Sequence, residues 1–333
     1  MMLEKQTVRS RHLHQLHKLK NKKLDAAAQC GSSILLYDKK ERDVRMRRWK
    51  NRIFSLLVYA LTAMTLLVLA FVIYFIVKEA LPTFQEVSVT DFLFGQRWMP
   101  IAYTGEVSFG IFNFIMATLY VSFLALAMAI LVGIGAAIFL SCVASERMRG
   151  ILYPFVDLLA GIPSVIYGFI GLVILVKYFI RAGIPTGSCV LAAGILLAIM
   201  LLPFLVSSCS ETMLKVKEEY LPCAEAMGIS RWYAIATIVL PASWKNIMMS
   251  MILAIGRAMG ETMAVMMVIG NANLFPHLLG KSESIASVIA LEMGTAVVGS
   301  THYHALYAAG MVLMILLFAI NLIITILREK LIG

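Results

Sequence analysis

Residues 53–77 read IFSLLVYALTAMTLLVLAFVIYFIV, a run of 25 residues with no charge. At ~1.5 Å per residue, a helix of that length exceeds the ~30 Å hydrocarbon core of a bilayer. In lipid, every backbone amide and carbonyl needs an internal partner, so such a run is helical. Comparable runs cover 111–142, 151–179, 188–210, 247–269 and 305–327. The sequence therefore predicts an all-α polytopic transmembrane bundle of about six spans. The first run, preceded by RMRRWKNR, reads as an uncleaved first helix.

Composition agrees, with 60% hydrophobic and only 14% charged residues. The mean hydropathy is +0.85. A net charge of +10 raises the question of nucleic acid, but 15 of the 29 Lys and Arg residues fall in 1–52. That is a basic tail beside a membrane and near anionic lipid, not a groove for nucleic acid. His14 and His17 belong to this solvated face. Cys142, Cys189 and Cys209 sit in or at the ends of apolar runs and read as small packing residues; Cys30 and Cys223 form no CxxC pair with them.

Lys and Arg near the helix ends set the topology. RMRRWKNR, Arg147, Arg149, Lys215, Lys217, Arg231, Lys245, Arg328 and Lys330 fall on one side. Lys78, Arg97, Lys177, Arg181 and Lys281 fall on the other. The positive-inside bias puts both termini in the cytoplasm. The expected organisation is a basic tail at 1–52, a first helix at 53–80, an external loop at 81–110 and a core at 111–330. Within the core, 211–246 is read as a cytoplasmic loop. The semi-apolar stretch SIASVIALEMGTAVVG, within 270–304, is expected to form a re-entrant or surface helix.

Three places carry chemistry. In LLAGIPSVIYGFIG, Pro163 lacks an amide hydrogen and Gly161 has no side chain to resist bending, which predicts a kink or break inside the third span. In AIGRAMGETMAVMMVIGN, Arg257 and Glu261 stand four apart in an apolar helix and so share a face. Burying such a charge costs on the order of 2.5–3.5 kcal/mol by insertion scales. Either the pair is glue between helices or it lines a path. Gly256, Gly260 and Gly270 leave room for a path, and arginine offers an anion a fixed fork of donors. Glu261 is expected to hold that fork. Asp157, in the third span, is a further acid of interest, either capping locally or touching the path.

The third place is the loop EEYLPCAEAMGISRWYAIATIVLPASWKNI. It reads as two helical stretches about Gly228, the second capped by Ser230 and stopped by Pro241, with Trp232 and Tyr233 free to enter a partner's groove. Its spacing resembles the coupling loop of ABC importer permeases: Glu-Ala-Ala, three residues, Gly, nine residues, Ile, any residue, Leu-Pro. Gly228, Ile238, Leu240 and Pro241 match in register. The first three positions fall on Pro222, Cys223 and Ala224, without the family's glutamate. Glu219 or Glu225, each a helical turn away, offers an acid on nearly the same face, with Ala226 beside it. Pro222 is expected to open a helix.

Together with ATLYVSFLALAMAILVGIGAAIFLS, LLAGIPSVIYGFIGLVIL and SVIALEMGTAVVGSTHYHALYAAGMVL, these segments resemble the permease subunits of bacterial phosphate ABC importers, the PstC type. The resemblance covers most of 53–330. It implies an inner-membrane permease forming half of a pore with a homologous second permease. It also implies a cytoplasmic dimer of ATP-binding subunits, a periplasmic phosphate-binding protein, and a phosphate-signalling kinase and regulator. Arg257 and Glu261 match the family's transport residues. Departures are Pro222-Cys223, the long basic lead, and Asp157 where the family has glutamate. Alternatives are a permease for another oxyanion such as molybdate or sulfate, an ion-coupled carrier without an ATPase, and a membrane scaffold or sensor. No Walker A run is present, so ATP hydrolysis falls to a partner and no enzyme or cofactor is expected. His302 and His304, two apart, do not face together on a helix and make no zinc motif.

Overall fold

The computed structural model describes residue 49 and residues 51–100 and 107–332. The basic lead with His14, His17 and Cys30 lies outside the described residues. The chain divides into two units, Met1–Ile73 and Tyr74–Gly333. Residues 51–73, in the first, are helical, and this helix, α1, runs 51–80. Next come α2 (Thr83–Glu86), α3 (Val89–Phe94), strands β1 (Trp98–Met99) and β2 (Ser108–Phe109), and α4 (Phe112–Ile138), which ends in a π turn at Phe139–Val143. Helices α5 (Glu146–Gly161) and α6 (Ser164–Ile170) follow, then a π turn at Gly171–Val176 and α7 (Lys177–Arg181). After α8 (Val190–Ala226) and α9 (Arg231–Ala234), a third π turn at Ile235–Val239 leads into α10 (Leu240–Gly260). The chain closes with α11 (Met263–Ile269), α12 (Ile285–Glu292) and α13 (Thr301–Ile332).

Among the described residues, six helical stretches are long and apolar enough to cross a membrane: Asn51–Glu86, Phe112–Val143, Ser164–Arg181, Val190–Ala226, Arg231–Gly260 and Thr301–Ile326. The number agrees with the sequence reading, but the bounds of the third span and of the 211–246 loop do not. The expected span 151–179 is two helices, because α5 ends at Gly161 and a new helix starts at Ser164. The expected loop 211–246 is mostly helix: α8 continues to Ala226, and after a short turn the chain re-enters helix at Arg231. Pro222 therefore lies inside α8 rather than opening a helix. Pro241 does not stop its helix either. It occupies the first turn of α10 after the π turn. That turn widens the carbonyl ladder ahead of the ring, and a missing amide is tolerated in a first turn.

Helix α4 packs against α8 through small residues. Ala117, Ala125, Ala129, Gly133 and Ala137 recur at multiples of four and are all buried. A Cβ on Gly133 would lie 3.3 Å from Leu205 Cβ. Such a stripe lets two backbones approach closely, which is how helices gain packing energy where lipid removes the hydrophobic drive. Leu196, Leu197, Leu201 and Leu205 of α8 fill the core with Ala254 and Ala258 of α10 and Val265, Val268 and Ile269 of α11.

A second core caps one end of this bundle. Phe92, Trp98, Phe109, Ile111 and Phe114 pack with Ile285, Val288, Ala305 and Leu306. The two strands are antiparallel, Trp98 opposite Phe109. Gly95 and Gly110 meet backbone to backbone, where a Cβ on either would collide with the other residue. Helix α12, capped by Ser284 Oγ accepting from the Ser287 amide (3.2 Å), is embedded here by Ile285–Val288 rather than lying on a surface.

Candidate functional site: paired helix breaks and a helical elbow

Two helices are interrupted side by side. Between α5 and α6, Ile162 (ψ 126°) and Pro163 (ψ 140°) are extended. Tyr167 Oη bridges that break by donating to the Leu159 carbonyl at 2.8 Å. Between α10 and α11, Glu261 is extended (φ −71°, ψ 121°). The continuous helix expected over 247–269 is thus broken at its most charged point. The four-residue spacing of Arg257 and Glu261 no longer gives them one helical face, and no ion pair joins them among the described residues. Glu261 Oε1 instead accepts the Ala264 amide at 3.1 Å and caps α11.

The breaks nonetheless bring the two charges into one cavity. A space of about 240 Å³ is lined by Leu159, Ala160, Ile162, Pro163, Ser164, Tyr167, Met200, Phe204, Arg257 and Glu261. Arg257 is exposed and Glu261 half-buried. Of the three glycines expected to clear a path, Gly256 has room for a Cβ, which would lie 3.9 Å from the Asn321 side chain, Gly260 has open space, and Gly270 takes the left-handed φ of +103°. Gly168 sets how closely the segments flanking the two breaks approach: its Cβ would come within 2.6 Å of Met267 Sδ and 3.0 Å of Ala264 Cα. Sequence reading missed Gly168, Tyr167, Met200 and Phe204, which become neighbours only through the packing of α6, α8 and α11. Asp157 is exposed on α5 and does not line the cavity.

The elbow after α8 is built by a Schellman turn. Gly228 has φ +75°, its amide donates to the Glu225 carbonyl (3.0 Å), and the Ile229 amide reaches back to the Ala224 carbonyl (3.0 Å). Leu221, Ala224 and Ala234 are buried in the fold of the elbow with Ile229 and Ile238. Ala224 and Ile238 are thus packing residues, and Leu240 packs against the neighbouring core. Glu219, Pro222, Glu225, Ala226, Gly228 and Pro241 are exposed, as are Trp232 and Tyr233. Ser230 takes the cap position of α9, but its side chain makes no capping bond.

At the opposite end of α8, the embedded cap holds a carboxylate cluster that sequence reading did not single out. Glu292 Oε2 accepts from Trp98 Nε1 (2.8 Å) and lies 2.8 Å from His302 Nε2. His304 turns elsewhere, with Nδ1 2.8 Å from the Glu79 carbonyl oxygen. Glu283 is 7% exposed. Burial, with the Glu292 charge adding to it, pushes its carboxyl up to about 7. Among the described residues, no group of three or more His, Cys, Asp or Glu side chains could hold a metal ion.

An all-helical bundle of this arrangement has the fold of an ABC-transporter permease. It is similar to a chain of the MetNI methionine ABC transporter in inward-facing conformations, with a TM-score of 0.52 over 66% of this chain and 94% of that one, at 16% identity. Residues 129–332 match the family described as binding-protein-dependent transport system inner membrane component, and the chain belongs to that family. It is the membrane-spanning permease subunit of an ABC importer, and ATP is hydrolysed by a partner subunit. Among its relatives, the phosphate transport system permease protein PstC of Xylella fastidiosa (strain Temecula1) is 34% identical over 303 residues, 85% of this chain and 91% of that protein. The probable ABC transporter permease protein YqgH of Bacillus subtilis (strain 168) is 33% identical over 246 residues, 73% of this chain and 79% of that protein.

Proposed function

We propose that this chain is a permease subunit of an inorganic phosphate importer in the bacterial inner membrane, with both termini cytoplasmic. The observation that carries the reading is the cavity shared by the two helix breaks, which holds Arg257 and Glu261 inside a bundle related to phosphate permeases. An arginine fork offers an oxyanion charge and directional donors together. Glu261, held in place by the cap it gives α11, sets a negative charge on the same cavity and keeps the anion from binding too tightly to leave. Freed backbone at a break inside a membrane persists where protein or a cavity covers it, and both breaks meet that condition.

The face carrying Glu219, Pro222, Glu225 and Ala226, with Trp232 and Tyr233, is the docking surface for the ATP-binding subunits. A rigid elbow transmits their closure to α8 and α10, because the Schellman turn and its apolar packing leave little slack. A homologous second permease completes the pore, and a periplasmic phosphate-binding protein delivers the anion. A phosphate-signalling kinase and its regulator are the further partners.

The test is ATP-dependent uptake of radiolabelled phosphate in vesicles containing both permeases, the ATPase and the binding protein. Uptake is expected to resist excess sulfate and molybdate and to fall at least tenfold in Arg257→Ala, about 1.4 kcal/mol of transition-state stabilisation. Absence of phosphate uptake in an assembled complex that still hydrolyses ATP would refute the substrate.

A further inference from the structure

Three cations gather where α4 ends. Lys217 Nζ donates to the Ser141 carbonyl (2.8 Å) and Arg231 Nη2 to the Cys142 carbonyl (2.9 Å). Arg149 lies within electrostatic reach of Lys217, as does Arg231. Arg149 Nη1 is enclosed and has no hydrogen-bond acceptor. Glu218 lies within electrostatic reach of Lys217. The cluster carries an excess of positive charge and one guanidinium nitrogen without a partner, and an enclosed charged donor of that kind is costly until an anion meets it.

An open apolar groove of about 330 Å³ lies between α4, α5 and α8. Leu140, Leu152, Val156, Leu202, Pro203 and Val206 are among its walls. Two chain continuities join groove and cluster. Leu140 precedes Ser141 and Cys142, whose carbonyls hold the cations. Arg149, Leu152 and Val156 stand at i, i+3 and i+7 on one face of α5. Tyr153 Oη lies 2.6 Å from Ser210 Oγ and ties that helix to α8. Counted from Val190, Lys217 lies about 40 Å along α8, farther than the ~30 Å hydrocarbon core of a bilayer.

We propose that this is a binding site for an anionic phospholipid, its phosphate on Arg149, Lys217 and Arg231 and one acyl chain in the groove between α4, α5 and α8. Charge above and an apolar slot below match the two halves of one lipid. A free anion would leave the slot unfilled, and an acidic peptide would have no reason to enter the apolar band. The inference is independent of the transported solute.

The test uses the full-length chain purified with its partner subunits and delipidated in detergent. Retention of phosphatidylglycerol and of phosphatidylcholine with the same acyl chains is measured by native mass spectrometry. The native protein is expected to prefer phosphatidylglycerol. Arg149→Gln and Lys217→Gln are each expected to lower that preference about fivefold, roughly 1 kcal/mol per cation. Ala136→Phe, which narrows the groove and leaves the cations, is expected to weaken both lipids alike. Equal retention of the two lipids by the native protein would overturn the proposal, and this arm stands even if a variant fails to assemble. Displacement of phosphatidylglycerol by inorganic phosphate alone would overturn it too, marking a free-anion site.

Discussion

Glu283→Gln tests how the buried carboxylate of the cap is held. The Glu283 carboxyl moves from its ordinary 4.5 to about 7, first because it is buried and then because Glu292 repels its charge. Each unit corresponds to about 1.4 kcal/mol, so roughly 3 kcal/mol of folding free energy is tied to this proton. The sign follows from which state holds the proton longer. Between pH 4.5 and 7 the unfolded chain has released it while the folded protein keeps it. Stability from this group is therefore greatest at low pH, declines as pH rises through that window, and levels off above 7. Glutamine is neutral throughout and lacks the decline. The assay is the thermal unfolding midpoint in detergent from pH 5 to 8. The two proteins are expected to converge near pH 5, with the variant higher by about 4–5 °C at pH 8. Glu292→Gln, which removes the second cause, is expected to shift the native decline to lower pH. Parallel curves for native and Glu283→Gln across the range would refute the reasoning, because the carboxyl would then not titrate in that window.

Other consequences are local. Gly228→Val forces a branched side chain into φ +75° with open space around it, so the cost is conformational, about 1–2 kcal/mol; Gly228→Asn is expected to recover most of it, and ATPase stimulation by the assembled permease measures the difference. Gly168→Val drives α6 away from Met267 and Ala264 beside the cavity, so transport is expected to fall at least tenfold while the complex still assembles on size exclusion. Trp98→Phe keeps most of the packing against Phe109 and Phe114 but removes the indole donor to Glu292, and a loss of about 1–2 kcal/mol is expected in denaturant unfolding.

The apolar runs alone determined that the chain is an all-α membrane bundle and how many helices are fit to cross, and Gly161 with Pro163 marked where the run 151–179 would kink or break. These are properties of composition and local backbone chemistry, and no neighbour is needed to enforce them. The turn at Gly228 was legible for the same reason: a left-handed residue at a helix end is a local demand. Continuity of helix was not legible. The stretch 211–246 is polar enough to read as loop, yet Leu221, Ala224, Ala234 and Ile238 fold it into two packed helices, and a π turn carries the chain past Pro241. The break at Glu261 was hidden in an apolar run of good helix formers, where the i, i+4 pairing of Arg257 and Glu261 argued for an unbroken helix. Only the tertiary structure, by packing α11 against α6 and α8 and letting Glu261 cap a new helix, decided that the two charges meet across a cavity instead of along one face. The reason is physical: periodicity reports which side of a helix is apolar, whereas the partner that satisfies a backbone amide or a buried charge lies on another helix far away in sequence.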